Sequence, residues 1–154
     1  FIKVIPALVA MSCVLAMSKV MVNSGMMRIL AEFLASLGRS GYPFMAVAVG
    51  TLGAFMTGTC LGSNIMFGPM HMEAATSLMQ NPITVFAGQN AGGAIGNMIC
   101  PHNVISVATT VDQLGKEGVI MQKVIPSWFV LFALYGLLAL FYTHYLFAGY
   151  GIGV

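Results

Sequence analysis

The stretch Thr57–Gly68, "TGTCLGSNIMFG", decides how this chain is read. Seven of its first eight residues are small or polar, and only then does the run turn apolar again. It interrupts a segment that is otherwise apolar enough for lipid. Lipid supplies no water to satisfy a bare N–H or C=O. Irregular backbone at membrane depth therefore persists only where it is buried in protein or lines a wet cavity.

The composition sets the membrane as the context. Of 154 residues, 58% are hydrophobic and 6% charged, with a mean hydropathy of +0.91. A soluble domain carries roughly 25% charged residues. Six basic and four acidic side chains could not solvate the surface of a 16.3 kDa globule. The net charge of +2 is scattered, with no basic run, and gives no support for nucleic-acid binding. Cys13, Cys60 and Cys100 have no CxxC spacing, so neither a disulfide framework nor a zinc site follows. They read as small buried hydrophobes, and the thirteen Met residues as flexible core filler. No metal or cofactor is expected. The first residue is Phe, and no signal peptide follows it, so the sequence reads as a piece of a longer chain.

Two arms flank the opening stretch, Tyr42–Thr57 and Ile65–Met79. Each has about 15 or 16 residues, or roughly 24 Å of helix, against a hydrocarbon core about 30 Å thick. Arms that short favour a helical hairpin over 42–79 that enters the membrane and returns. Ser63 and Asn64 are natural N-caps for the second arm.

A second interruption lies in "NPITVFAGQNAGGAIGNMICPHNVISVATTV", Asn81–Val111. Pro82 suits a first helical turn. The helix is expected to run to about Asn97, to break at Cys100–Asn103, where Pro101 removes a donor, and to resume to Val111. Two interruptions, each followed by a resumed helix, are the sequence pointer to a transporter binding site. Helix N-termini at both would aim partial positive charge and free N–H groups at an anion. The competing reading is packing alone, since Gly88/Gly92 and Gly92/Gly96 have GxxxG spacing. The polar content of the segment (Gln89, Asn90, Asn97, His102 and Asn103) favours a site. A faint dinucleotide fingerprint in "AGGAIG" is rejected, because Ala91 replaces the first Gly and no second strand follows.

The remaining segments complete a polytopic, all-α membrane reading. An apolar span is expected over 4–22, with Lys19 placed to snorkel. An amphipathic helix is expected over 26–37, with Arg28 and Glu32 four apart. Asp112–Gly118, "DQLGKEG", is the clearest extramembrane loop. A final span covers 125–147, with Trp128, Tyr142 and Tyr145 as interface anchors. If the hairpin returns to its own side, Arg28 and Arg39 oppose Lys3, Lys116 and Lys123, which sets no orientation.

Glu73 in the second arm is a functional candidate for a protonatable group, or an interfacial carboxylate. His102 could donate to an anion, relay a proton or cap a helix. His144 reads as interfacial.

"SKVMVNSGM" (Ser18–Met26), "YPFMAVAVGTLGAFMTGTCLGSN" (Tyr42–Asn64), "NPITVFAGQNAGGAIGNMICPHNVI" (Asn81–Ile105) and "LGKEG" (Leu114–Gly118), in that order, resemble the C-terminal part of the L-lactate permease family. The resemblance runs from Ser18 to about Lys123. It implies a multi-pass carrier of the plasma (inner) membrane that moves lactate and related 2-hydroxy monocarboxylates with protons, completed by a missing N-terminal part. It also implies one half of an ion-transporter-like fold, each half holding a re-entrant hairpin and a broken helix. By the same resemblance, Thr57, Gly58, Ser63 and Asn64 match the hairpin tip. Gln89, Asn90, Gly92, Gly93 and Gly96 match the Gly-rich half of the broken helix, and Asn97, Pro101, His102 and Asn103 match its break. Two departures stand out. Cys60, Leu61 and Gly62 occupy the tip where further hydroxyls or carboxylates are common, and Asn97 stands where many members have Lys.

The expectation is thus a transporter fragment, not an enzyme. The substrate carboxylate is held by half-helix N–H groups, Ser63, Asn64 and Asn97, and the coupled proton by Glu73 or His102. Two other readings stand beside it: a membrane redox subunit with haem on His71, His102 or His144, and a packing subunit with no substrate of its own.

Overall fold

The computed structural model describes residues 12–13, 16–17, 19–36, 38–113 and 115–147. The span expected over 4–22 falls largely outside them. Every regular element among the described residues is helical. In chain order the helices are α1 (Met26–Ser36), α2 (Tyr42–Thr57), α3 (Cys60–Ser77), α4 (Pro82–Gly96), α5 (Pro101–Thr110) and α6 (Glu117–Phe141). The last runs on into a single π turn, Tyr142–Leu146.

Local chemistry sets these boundaries. Pro43 sits in the first turn of α2, where its missing N–H costs nothing. The helix stops because Gly58 takes a left-handed conformation (φ 75°), and its N–H closes onto Ala54 O at 2.9 Å. Thr59 is already extended, and its Oγ1 accepts the Gly62 N–H at 2.8 Å, so α3 starts at once. The tip is therefore a two-residue turn, and this corrects two expectations. Ser63 and Asn64 are not caps but lie inside α3, and the exposed backbone expected over Thr57–Asn64 is mostly hydrogen-bonded helix. Asn81 caps α4 through Oδ1 to the Ile83 N–H at 2.9 Å, just ahead of Pro82.

The second interruption also lies slightly away from where it was expected. Pro101 does not break a helix from within; it occupies the first turn of α5. The irregular backbone is Asn97–Cys100, just before it, so "CPHN" opens α5 rather than separating two helices.

Contacts fix the arrangement of α2, α3 and α4. Tyr42 meets His71, and Gly50 meets Ser63, so α2 and α3 run antiparallel as a hairpin. A Cβ built on Gly92 would run into the Val47 carbonyl, and one on Gly96 into that of Thr51. The pairs 47/92 and 51/96 keep a constant offset, so α4 runs parallel to α2. Thr51 Oγ1 spans the crossing, within 2.9 Å of Val47 O and 3.1 Å of Gly92 O. The consequence is positional: the end of α2 (the hairpin tip) and the end of α4 (the break) lie at the same level.

The core follows this packing. Tyr42, Ala46, Met70, Ala74, Ala75 and Val85 form one buried cluster, which Ala31 of α1 closes. The Arg28–Glu32 pair (3.0 Å) lies on the exposed side of α1. The helical stretch Glu117–Leu146 is the only one among the described residues long and apolar enough to cross a membrane. It starts earlier than the expected 125, taking in Glu117 and Gly118 of the expected loop. Trp128 is accordingly well inside this helix, packed on Phe129 and Phe132, rather than at its end.

Candidate functional site

Tip and break meet. The Asn103 amide donates to Asn97 O at 3.2 Å and reaches Gly58 O at 3.5 Å, stitching the break to the hairpin turn. Between them lies a cavity of about 400 Å3 lined by Phe55, Met56, Thr57, Gly58, Thr59, Cys100, Pro101 and His102. Thr57 Oγ1 lies 2.8 Å from Gly53 O and 2.9 Å from Thr59 O, so this hydroxyl steadies the turn. Cys100 is extended, and no side chain caps α5. The first-turn N–H groups of α5 are thus left uncapped beside the cavity, where an anion is electrostatically favoured. His102 is exposed on the cavity wall. Asn97 Oδ1 is buried without a partner.

A second polar group sits one turn back, between α3 and α4. Asn64 Nδ2 donates to Asn90 Oδ1 at 2.6 Å, and Cys60 Sγ lies 3.3 Å from the same oxygen. Asn64 Oδ1 is buried and unpartnered, while Asn90 is exposed.

Ser63 and Gln89 are fully buried. Ser63 Oγ donates to Gly50 O at 2.9 Å, and Gln89 Nε2 donates to Ser63 Oγ at 2.9 Å and lies 3.3 Å from Ser63 O. They tie the three helices together and do not line the tip cavity. Gly92 and Gly93 are likewise closed off: a Cβ on Gly92 would strike Val47, and one on Gly93 would lie 2.9 Å from Cys60 Sγ. Among the residues expected to touch substrate, the structure therefore brings Thr57, Gly58 and His102 to one cavity, with Asn103 tying Asn97 to its Gly58 wall. It sets Asn64 and Asn90 beside it, and gives Ser63, Gln89, Gly92 and Gly93 packing positions.

Glu73 is exposed on α3, toward the Arg28 side of α1 and away from the tip. His144 is exposed on the π turn, Nε2 2.9 Å from Ser40 O. His71 and His102 lie at opposite ends of the hairpin. The structure adds one group the sequence did not single out, the fully buried contact of Tyr42 Oη with His71 Nδ1 at 2.8 Å. Its partners are 29 residues apart, so no local spacing marks them.

The family model for L-lactate permease matches residues 1–147. A putative L-lactate permease of Haemophilus influenzae is 29% identical over 139 residues, covering 90% of this chain and 25% of that protein. An L-lactate permease of Streptococcus iniae is 36% identical over 95 residues, 62% of this chain and 20% of that protein. A glycolate permease of Escherichia coli K12 is 28% identical over 142 residues, 92% of this chain and 25% of that protein. The chain thus spans about a quarter or less of the length of these curated relatives. No solved structure matches it.

Proposed function

The chain belongs to the L-lactate permease family of membrane transport proteins, and from that premise we propose that it forms one part of a proton-coupled carrier for lactate and related 2-hydroxy monocarboxylates in the plasma membrane. The rest of the carrier, an N-terminal part, would supply the other side of the substrate path. One observation carries the reading: the hairpin tip and the helix break share a level and enclose a common cavity, with Asn103 bridging them.

In this reading α2 and α3 form a re-entrant hairpin. Their 16 and 18 residues make roughly 24 and 27 Å of helix, short of a hydrocarbon core about 30 Å thick. The tip then lies at depth, where uncapped N–H groups have no water and a ligand is their natural partner. The substrate carboxylate takes hydrogen bonds from the N–H groups in the first turn of α5, a turn that Asn103 pins to the tip through Gly58 O. The 2-hydroxyl, a donor, suits an unpartnered amide oxygen such as that of Asn97. Thr57 and Gly58 shape the turn, and His102 closes the cavity. Asn64 and Asn90 hold α3 against α4 next to it. Of the two proton candidates, His102 is on the cavity and Glu73 is remote from it.

The test is lactate uptake by the complete carrier with Asn103→Ala. The variant unpins the first turn of α5 from the tip, and misplacing a hydrogen bond to a charged ligand costs about 1.5–3 kcal/mol, so the apparent KM should rise roughly ten- to a hundred-fold. Wild-type affinity and rate in this variant would refute the assignment.

A further inference from the structure

The most deeply buried polar group in the hairpin is absent from the scheme above. His71, Tyr42, Gln89 and Ser63 are all fully buried where α2, α3 and α4 meet. The Tyr42 hydroxyl lies 2.8 Å from His71 Nδ1. Gln89 lies close to His71 as well. Yet His71 Nε2 and Gln89 Oε1 stop short of hydrogen-bond geometry, and both are left buried without a partner. A histidine kept only for packing has both ring nitrogens satisfied in most proteins.

The hydrogen-bond directions are fixed by the neighbours. Ser63 O can only accept, so the Gln89 amide points its Nε2 at Ser63 and is left with Oε1 as a buried, unpartnered acceptor. With the hydrogen of the neutral ring on Nε2, Nδ1 is the nitrogen that gains or loses a proton. In the neutral ring, Nδ1 accepts from the Tyr42 hydroxyl. When Nδ1 takes a proton, its N–H donates to Tyr42 Oη, and the hydroxyl hydrogen turns away. The same heavy-atom frame serves both protonation states, which a proton-carrying group requires.

The charges around this ring are few. Tyr42 is the titratable group on α2, and α4 has none. On α3 itself Glu73 is exposed, and so are Arg28 and Glu32 of α1 and Lys19 before it. No buried carboxylate balances an imidazolium here among the described residues. A charged His71 is thus favoured when an anion enters the carrier, and the anion is favoured when His71 is charged, since such coupling is reciprocal.

We propose that His71 is the proton-binding residue of this part of the carrier, held in register by Tyr42 and Gln89, in place of Glu73 or His102. The proposal rests on the transport reading above. The proton arrives from water, binds Nδ1 as substrate enters, and leaves to water as substrate leaves, with no bond broken or made elsewhere.

The experiment uses the complete carrier in proteoliposomes and reads two activities, proton-gradient-driven lactate accumulation and lactate–lactate exchange at equal pH. His71→Gln should lower accumulation by about ten-fold or more, the scale of coupling between two bound ligands, while exchange stays measurable. Tyr42→Phe leaves a protonated Nδ1–H without an acceptor, so the pH at which uptake is half-maximal should move down. His144→Gln, at an exposed ring, should alter neither. Full gradient-driven accumulation in His71→Gln would overturn the proposal. If His71→Gln loses both activities, Tyr42→Phe decides: a shifted pH profile supports the proposal and an unshifted one overturns it. A wild-type carrier that neither accumulates nor exchanges lactate would overturn the transport reading as well, a pattern distinct from failure of the histidine alone.

Discussion

Gly92→Ala should damage the fold far more than Gly88→Ala, although both add one methyl to the same face of α4. At Gly92 the new Cβ would strike the Val47 carbonyl oxygen and stand 2.8 and 2.9 Å from Val47 C and Cα. The obstacle is helix backbone, which cannot rotate out of the way as a side chain can. The two helices must part by roughly an ångström, which forfeits a quarter to a half of the dispersion attraction along the seam. Overpacking of this kind costs about 3 kcal/mol, the upper end of its usual range. The Thr51 contact to Gly92 O at 3.1 Å stretches as well, adding about 1 kcal/mol. Alanine's better helix propensity returns about 1 kcal/mol. The net loss is about 3 kcal/mol, a drop of roughly a few degrees in Tm for a protein several times longer than this chain. At Gly88 the nearest atoms to a new Cβ are Ala139 Cβ and Pro43 O, both at 3.4 Å. That is close to ordinary contact, so Gly88→Ala should be neutral or slightly stabilising. Thermal unfolding of the two variants of the complete carrier in detergent is the assay. Equal melting temperatures would refute the parallel α2–α4 crossing, not merely its energetics.

Two smaller predictions concern the tip. Thr59→Ala removes the cap of α3 and should destabilise by about 1 kcal/mol, seen as a small drop in Tm; a larger effect on uptake than on Tm would mean the hydroxyl also meets substrate. In a Cys13→Ser background, a maleimide should label half-buried Cys60 well before Cys100, which is 2% exposed. The label has no room beside Gly93, so uptake should fall with labelling and excess lactate should slow it; labelling of Cys100 first would contradict this packing.

Much of the local structure is legible in the sequence. The ends of α2 fall where Pro43 and the Thr-Gly pair at 57–58 put them, because start and stop signals there are single-residue steric facts. The tip was harder. "TGTCLGSN" reads as exposed backbone because small polar residues favour turns, yet Cys60–Asn64 is helix. Its polar side chains are spent across helices instead, Ser63 on Gly50 and Asn64 on Asn90. Composition cannot separate those two uses, since the partner lies 13 or 26 residues away. Pro101 misled in the same way: it marks a break, but from the first turn of the following helix rather than from inside one. The GxxxG spacing correctly announced a close crossing without naming its partner, α2. The Tyr42–His71 pair had no sequence signal at all, because an antiparallel hairpin brings together residues whose separation depends on the length of both arms.

The proposed site is notable for what kind of polarity it uses. Among the described residues lining the tip cavity there is no Lys or Arg. A bidentate Arg would hold a carboxylate tightly and in one geometry. A carrier gains nothing from that, since it must release on the far side the same ligand it bound on the near side. Affinities from micromolar to millimolar correspond to about 4–8 kcal/mol. Two charge-assisted hydrogen bonds from neutral donors, at about 1.5–3 kcal/mol each, already reach the weaker part of that range. The uncapped N–H groups of His102 and Asn103 in the first turn of α5 are donors of this kind. They carry no net charge, so the cavity is not left holding an unpaired buried cation when it is empty. If the balancing positive charge is a proton that comes and goes on His71, empty and loaded states are both neutral overall. That pairing, more than any single contact, would let one set of weak bonds serve both faces of the membrane.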